Sequence, residues 1–302
     1  MVGGIVEVAE NRRYLSKYRG FLVVSDDSRE LGRVPLDDVT ALIISARQAS
    51  LSRSLMEAIA SRNGIIVVCG QDYLPISITF PYPGNYAAPV RIKLQAAASR
   101  PLCKRIWQAI VREKILNQSR VLSWLQPDSS VGGRLEGFAQ RVKSGDPDNV
   151  EAQAARLYWS TFFGPKFGRN RQQDGENAFL NYVYTILRSA VARSVVASGL
   201  LPALGIHHHN QRNAFPLVDD LMEPYRPLAD MVAWEAFYEE DELGPSAKAK
   251  LASVLTLDLR AAQGVTPLCN ALHQMAASLV ACFKEKRVCL RMAQLIPPNA
   301  NT

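Results

Sequence analysis

Short apolar runs bounded by turn residues dominate the first 88 positions of the chain, and the run over 76–80 alternates apolar and polar residues. This pattern predicts β-strands over 20–25, 31–35, 39–45, 65–69 and 76–80. A short helix is predicted over 52–62, with Gly64 placed to end it. The proline-rich run 81–85 then interrupts the pattern and makes a natural hinge.

After the hinge, apolar residues recur every three or four positions, which is the period of an α-helix. Helices are predicted over 90–125, 134–142, 150–163, 177–198, 216–237, 245–262 and 267–290. The chain is therefore predicted to be an α+β protein. A small N-terminal β-rich domain over 1–88 precedes a larger all-α domain over 89–302.

The net charge of +7 comes entirely from the predicted helical domain. Residues 1–88 hold nine basic and nine acidic side chains, whereas 89–150 alone hold eleven basic and five acidic. Because cationic side chains that neutralise phosphates release counterions, this excess favours a polyanionic partner. The alternative is a set of ordinary solvated helix faces, and composition alone gives the two interpretations about equal weight.

The chain has the composition of a soluble globular protein, with 48% hydrophobic and 21% charged residues. No apolar run approaches the roughly 20 residues that a membrane-spanning helix needs. The first residues lack the basic and apolar regions of a signal peptide. The five cysteines are odd in number and no two are spaced Cys-x-x-Cys, so neither a disulfide framework nor a zinc ribbon is indicated. We expect a cytoplasmic protein that does not bind membranes.

The segment from Gly205 to Arg226 contains the side chains best suited to metal chemistry. It holds three of the four histidines and a tight acidic cluster: His207, His208, His209, Asp219, Asp220 and Glu223. Imidazoles and carboxylates are groups that proteins offer to divalent metals. Pro216 suits the first turn of a helix, on which the three acids can share one face. The same acids could instead complement the helix dipole or pair with Arg226. Spacing does not choose among the histidines, because successive side chains diverge.

A second acid, Glu151, opens the predicted helix over 150–163. Asp148 is a plausible N-cap for this helix and Glu151 follows three residues later, an arrangement close to a capping box. Glu151 also heads an apolar stripe that should face the core, where a buried acid needs a partner or a metal. The sequence leaves these two interpretations even. The basic loop 164–175 could clamp a phosphate backbone or be an ordinary solvated connection.

Together these segments resemble the CRISPR-associated spacer-acquisition integrase, the universal first protein of the Cas series, in the form found in type II systems. The likeness extends over essentially the whole chain. It is carried by five ordered blocks: Asn149 to Trp159, the loop containing Arg169, Asn177 to Tyr184, Gly205 to His208, and Asp219 to Pro227. Five blocks in the family's order are far more specific than any one of them.

The resemblance implies a catalytic and metal-binding set. The family's first metal-binding Glu falls on Glu151, and its Gly-x-x-His pattern selects His208. The final acid falls on Glu223, with Asp220 held in reserve and a supplementary role for Asp219 or Asp220 left open. The implied cofactor is Mg²⁺ or Mn²⁺. The candidate DNA contacts are Lys104, Arg105, Arg112, Lys166, Arg169 and Arg171.

The implied activity is integration of short DNA fragments into a CRISPR repeat array, with an associated DNA endonuclease activity. The 3′-hydroxyl of a captured fragment would attack a phosphodiester at the edge of a repeat. The absence of a Gly-x-x-x-x-Gly-Lys-[Ser/Thr] loop agrees with a reaction that needs no nucleoside triphosphate. The alternatives are a stand-alone metal-dependent nuclease acting on branched DNA in repair and a non-catalytic DNA-binding scaffold.

The implied partners are double-stranded DNA fragments, repeat DNA, a second copy of the chain and a small Cas adaptor protein. Two homodimers would flank a dimer of the adaptor to form a heterohexamer. The effector nuclease is a further candidate partner. In this scheme the N-terminal domain serves dimerisation and partner docking.

Overall fold

The computed structural model describes residues 4–70, 75–81, 85–127, 129–165, 167–169, 175–240 and 242–297. The chain divides into two compact units, Met1–Tyr86 and Ala87–Thr302. The first is rich in strands and the second is mainly helical, so the predicted α+β order is confirmed. Within the described residues, no helix is both long and apolar enough to cross a bilayer.

Over its described residues, the first unit contains eight strands and one helix. They are β1 Gly4–Val8, β2 Arg13–Tyr18, β3 Phe21–Ser25, β4 Glu30–Pro35, β5 Val39–Ile44, β6 Ala49–Leu51, α1 Arg53–Ala60, β7 Ile65–Cys69 and β8 Pro75–Thr79. One sheet has the order β1-β5-β7-β8, with β8 antiparallel to β7 and the other pairs parallel. The other sheet has the order β4-β3-β2-β6.

A single apolar cluster holds this unit together. Leu15 and Leu22 from one sheet pack with Leu42 from the other and with Leu55 and Ile59 of α1. Strands β1, β3, β5 and β7 contribute alternate side chains to this cluster, as expected where one face of a strand points toward it. Strands β1, β2 and β6 were not predicted. In β2 only Leu15 is buried, and β6 has three residues, so neither carries a full apolar alternation.

The second unit contains nine helices within its described residues. They are α2 Ala88–Ala96, α3 Arg100–Leu125, α4 Val131–Arg141, α5 Val150–Phe162, α6 Glu176–Ala197, α7 Pro216–Met222, α8 Arg226–Glu239, α9 Pro245–Ala252 and α10 Leu268–Glu285. Helix α6 is buried around most of its circumference and packs against α7, α8 and α10. Helix α3 packs against α4, α5, α7 and α8, which brings the segments carrying the candidate site residues together.

The prediction of an all-α second domain is wrong near the C-terminus. The predicted helix over 245–262 ends at Ala252, and the following residues form a small antiparallel sheet of β9 Asp258–Ala261, β10 Gly264–Pro267 and β11 Gln294–Leu295. Gly264 has a φ of +117°, a conformation that a glycine adopts without strain, and it starts the returning strand of the hairpin.

Two other predicted helices are each divided by a structural feature. The helix predicted over 90–125 breaks at 97–99, where the Ser99 hydroxyl accepts a hydrogen bond from Leu102 N (3.4 Å) and caps α3. The helix predicted over 216–237 tightens into a 3₁₀ turn, Glu223–Tyr225, between α7 and α8. Both Pro224 and Pro227 lack the N–H that a continuous helix would use.

Candidate active site

Glu151 does not form the capping box that the sequence suggested. The N-terminus of α5 is capped by Asp146, whose carboxylate accepts hydrogen bonds from Val150 N (2.9 Å) and Glu151 N (3.0 Å). Asp148, the predicted N-cap, instead forms an exposed ion pair with Lys143 (2.8 Å). The side chain of Glu151 therefore extends along α5 toward α3, where its Oε1 accepts a hydrogen bond from Lys114 Nζ (2.6 Å).

Glu223 lies almost fully buried at the start of the 3₁₀ turn, with 6% of its surface exposed. The turn is fixed to α3 because Asn117 Nδ2 donates to Pro224 O (2.7 Å). Burial would raise the pKa of Glu223, but the positive charges of Arg226 and Lys114 lower it to about 2. The Arg226 guanidinium donates from Nε to Oε1 of Glu223 (2.7 Å). The carboxylate is thus held ionised in a buried position.

Lys114 joins the two acids and was not predicted as a site residue. Its Nζ lies 2.6 Å from Oε1 of Glu151 and 2.5 Å from Oε2 of Glu223. Burial alone would lower the pKa of Lys114, but Glu223 and Glu151 raise it, so the ammonium stays protonated. The sequence of α3 already indicated that the Lys114 side chain faces inward. Lys114 follows the buried Ile110 and Val111 by four and three residues, so it belongs to the helix face that packs inward.

His208 is placed by Asp220, which is completely buried. The Asp220 carboxylate accepts hydrogen bonds from Ile206 N (2.6 Å), His207 N (2.9 Å) and His208 N (3.2 Å), and its Oδ1 lies 2.5 Å from His208 Nδ1. This last hydrogen bond raises the pKa of His208, and the charges of Glu223 and Glu151 raise it further. The imidazole therefore lies within electrostatic reach of both carboxylates.

The loop that carries His208 depends on a small residue at its start. A Cβ at Gly205 would lie 2.5 Å from His208 O, 2.9 Å from Pro216 Cβ and 3.2 Å from Asp220 Oδ2. The first two distances are too short for carbon contacts, so any side chain at Gly205 would displace the loop from Asp220. The Gly-x-x-His spacing thus has a steric reason as well as a chemical one.

The other two histidines point elsewhere. His207 stacks on the buried Trp107 of α3 with ring centroids 4.2 Å apart, while His209 is exposed. The three acids of the cluster also have separate partners. Asp219 pairs with Arg188 (2.7 Å) and accepts from Asn213 (2.7 Å), Asp220 holds the histidine loop, and Glu223 meets Lys114. The three acids therefore do not converge on one partner in this structure.

The donor groups at this site fit a hard divalent cation. Two carboxylates already converge on one cation, the Lys114 ammonium, and oxygen donors are what Mg²⁺ and Mn²⁺ prefer. Oε2 of Glu223 is buried and, apart from the charge contact with Lys114, accepts no hydrogen bond from the residues that the structure describes. Among the described residues, however, no three His, Cys, Asp or Glu side chains already surround a common point. A metal bound by these two carboxylates would replace Lys114 as their partner, and His208 would lie beside it.

The predicted DNA contacts fall into three groups. Lys104, Arg105 and Arg112 are exposed on α3, and no ion pair holds any of them within the part of the chain described. Arg169 is half-buried instead, because its guanidinium donates to Asn177 Oδ1 and Asn181 Oδ1 (both 2.8 Å). Lys166 and Arg171 lie outside the described residues. The contacts to DNA stay predictions, and α3 offers the most accessible of them.

Comparison with known proteins assigns the chain to a family. The family model described as "CRISPR associated protein Cas1" matches residues 6–243. The chain is 36% identical over 292 residues to the CRISPR-associated endonuclease Cas1 of Neisseria meningitidis serogroup C (strain 8013), covering 95% of each. Its fold resembles that of a casposase bound to integration product, with a TM-score of 0.80 at 16% identity, covering 95% of this chain and 92% of the other. It also resembles a chain of a Cas6-RT-Cas1–Cas2 complex, with a TM-score of 0.74 at 16% identity, covering 95% of this chain and 35% of the other.

Proposed function

Because the chain belongs to the Cas1 family of CRISPR-associated proteins, we propose that it is a metal-dependent DNA endonuclease and integrase. It inserts short DNA fragments into a CRISPR repeat array. The observation that carries this proposal is the convergence of Glu151 and Glu223 on one cation. These two acids come from α5 and from the turn after α7, and they meet beside His208.

The proposed reaction is a transesterification on DNA. The 3′-hydroxyl oxygen of the fragment forms a bond to phosphorus at the repeat edge, the existing P–O bond breaks, and the strand end leaves on its oxygen. One phosphodiester forms for each one broken, so no nucleoside triphosphate is consumed. With water in place of the 3′-hydroxyl, the same site would cleave DNA.

The side chains of the site have separate roles in this reaction. Glu151, His208 and Glu223 would hold Mg²⁺ or Mn²⁺, which when bound polarises a phosphoryl oxygen and stabilises charge on the attacking or leaving oxygen. Asp220 orients the His208 imidazole through Nδ1, so Nε2 is the ring nitrogen that would bind the metal. Arg226 keeps the Glu223 carboxylate ionised and in place. None of these side chains acts as a covalent nucleophile.

The proposed partners are a second copy of the chain, a small Cas adaptor protein, DNA fragments and repeat DNA. Their support is the fold shared with the chain from the Cas6-RT-Cas1–Cas2 complex. Because captured sequences are arbitrary, most DNA contacts would be to phosphate. The N-terminal unit is our candidate for dimerisation and docking of the adaptor, in a heterohexamer that the effector nuclease could join.

A strand-joining assay tests the proposed reaction. The protein is mixed with the adaptor, a short duplex bearing 3′-hydroxyl ends, Mg²⁺ or Mn²⁺, and a supercoiled plasmid that carries repeats. We expect covalent joining of the fragment to the plasmid at the repeat edges. A fragment with 3′-deoxy ends is the matched control and should give none. Nicking of the plasmid without any joining would favour the repair nuclease instead.

A second prediction concerns the exposed face of α3. Removing the charges of Lys104 and Arg105 together, by Lys104→Ala and Arg105→Ala, should reduce the slope of log binding constant against log salt by up to about two units. Each lost phosphate contact accounts for about one unit. The measurement is duplex DNA affinity by fluorescence anisotropy across a salt series, with Lys284→Ala on α10 as the control for a lost exposed charge. An unchanged slope would remove these two residues from the DNA surface.

A further inference from the structure

Lys114 occupies the point at which the two candidate metal-binding carboxylates meet. Its side chain is 12% exposed, and its ammonium lies within 2.6 Å of both Glu151 and Glu223. The stem of the side chain rises from the middle of α3, a helix whose neighbouring residues Val111 and Ile115 are fully buried. Lys114 therefore reaches the two acids from a helix, α3, that is held in place by its buried neighbours.

The two acids need a cation between them. Arg226 reaches Oε1 of Glu223, which leaves Oε2 facing Glu151 across the ammonium. Two ionised carboxylates placed side by side in a buried site repel each other unless positive charge lies between them. Among the described residues, Lys114 is the cation that contacts both acids. In the absence of a metal, Lys114 thus supplies the positive charge that the two acids need between them.

A divalent metal that bridged the two carboxylates would compete with this ammonium for the same position. Mg²⁺ bonds oxygen at about 2.0–2.1 Å, so a metal between Oε1 of Glu151 and Oε2 of Glu223 would lie where the ammonium now lies. The two cations would also repel at such a short separation.

We propose that Lys114 is a positioning residue that serves as an internal cation: it holds Glu151 and Glu223 ready in the metal-free protein and is displaced when the metal binds. This inference rests on the proposed function, because it takes these two acids as metal ligands. It predicts that Lys114 weakens metal affinity while stabilising the metal-free site. A purely structural ion pair would stabilise the metal-free and metal-bound forms alike.

The test compares Lys114→Met with the wild-type chain in the absence of DNA. Methionine keeps most of the length of the side chain and removes its charge. We expect the metal-stripped variant to unfold at a temperature at least about 3 °C lower, because Glu151 and Glu223 lose their shared cation. At saturating Mn²⁺ its midpoint should return to within about 1 °C of the wild type. Its dissociation constant for Mn²⁺, measured by calorimetry, should be at least about tenfold lower.

A second variant keeps the test decisive if Lys114→Met does not fold. Lys114→Arg retains the positive charge and offers a fork that binds carboxylates more firmly. It should remain folded without metal and bind Mn²⁺ at least about tenfold more weakly than the wild type. A structural role alone would leave its Mn²⁺ affinity unchanged. Lys284→Met, on the exposed face of α10, controls for the loss of one lysine.

The outcomes separate this inference from the proposed function. If the wild-type chain binds no Mn²⁺, the metal-dependent function fails and this inference fails with it. If the wild type binds Mn²⁺ and Glu151→Gln abolishes that binding, the ligand assignment stands. In that case, unchanged Mn²⁺ affinity in Lys114→Met and Lys114→Arg would overturn the internal-cation role alone.

Discussion

Replacement of Glu223 by glutamine is expected to reduce both DNA cleavage and strand joining by at least about a thousandfold. The amide keeps the size of the side chain and can still accept a hydrogen bond from Arg226. It lacks the negative charge that a divalent cation requires, and one of its two oxygens is replaced by an NH₂ group that cannot ligate a metal. Glu151→Gln and His208→Ala should have effects in the same direction.

Binding to DNA should survive these substitutions. The exposed basic residues of α3 lie on a different part of the helix surface from Lys114, which faces the site. Duplex affinity of Glu223→Gln is therefore expected within about threefold of the wild type at a fixed salt concentration. Glu239→Gln is the matched control, since Glu239 pairs with Lys250 at the exposed end of α8. Full activity in Glu223→Gln would remove Glu223 from the catalytic set, whereas a wild-type chain that binds DNA without cleaving or joining it would favour the non-catalytic scaffold.

Arg226 has a second contact in the site besides Glu223, and the stability of Glu223→Gln has to be measured beside its activity. Arg226 also lies over the ring of Tyr184, 4.8 Å from its centroid, and the Tyr184 hydroxyl donates to Asp230. Burial raises the pKa of Asp230 to about 7. The melting temperature of Glu223→Gln, measured with the activity, separates a chemical effect from a structural one.

Much of the fold could be predicted because most buried segments carry a clear period. Strand β7, Ile65–Cys69, and helix α5, Val150–Phe162, lie within a residue of their predicted limits. Strand β2 was missed because its alternation is carried by polar side chains around a single buried leucine. Strand β9 was missed because the apolar spacing of α9 was extended to residue 262, and β10 and β11 are only four and two residues long. Tertiary pairing, rather than local pattern, decides such short strands.

The candidate site was less predictable than the fold. Spacing showed that Asp219, Asp220 and Glu223 could share a helix face, but only the structure shows that each has a different partner. The capping role assigned to Asp148 belongs to Asp146, two residues earlier, because the chain turns through left-handed conformations at Asp146 and Asn149. Lys114 was one of the eleven basic residues of 89–150, whose excess charge was left open between a polyanionic partner and solvated helix faces. A charged residue on an otherwise apolar helix face indicates a buried ionic contact, and this signal was present at Lys114.

The resemblance chose His208 from three consecutive histidines, which spacing alone could not do. The structure supplies the physical reason for treating it differently from its neighbours. His208 alone among them has its ring nitrogen against the buried Asp220, whereas His207 stacks on Trp107. The steric demand at Gly205 and the hydrogen bonds to Asp220 act together to fix this loop. The family motif therefore encodes the placement of an imidazole as well as its identity.

Replacement of Asp220 by alanine should therefore affect both stability and activity. Three backbone N–H groups and the His208 ring lose their shared acceptor, and each buried donor left without a partner costs about 1–3 kcal/mol. We expect the free energy of unfolding to fall by about 3 kcal/mol or more. Below the unfolding transition, DNA cleavage should fall by at least about a hundredfold because the imidazole loses its orientation.

Asp220→Asn separates the two effects, since its single amide oxygen can still accept hydrogen bonds from the loop. Its stability, measured by denaturant unfolding, should lie between those of the alanine variant and the wild type. With the amide NH₂ group in the position of Oδ1, asparagine cannot accept a hydrogen bond from His208 Nδ1. In that orientation, the activity of the variant should stay well below the wild-type level. Asp219→Asn, which leaves the histidine loop untouched and weakens the contact with Arg188, is the matched control. Wild-type activity in Asp220→Ala would show that His208 needs no carboxylate behind it, and the imidazole would then have to be oriented by its packing against Trp107 alone.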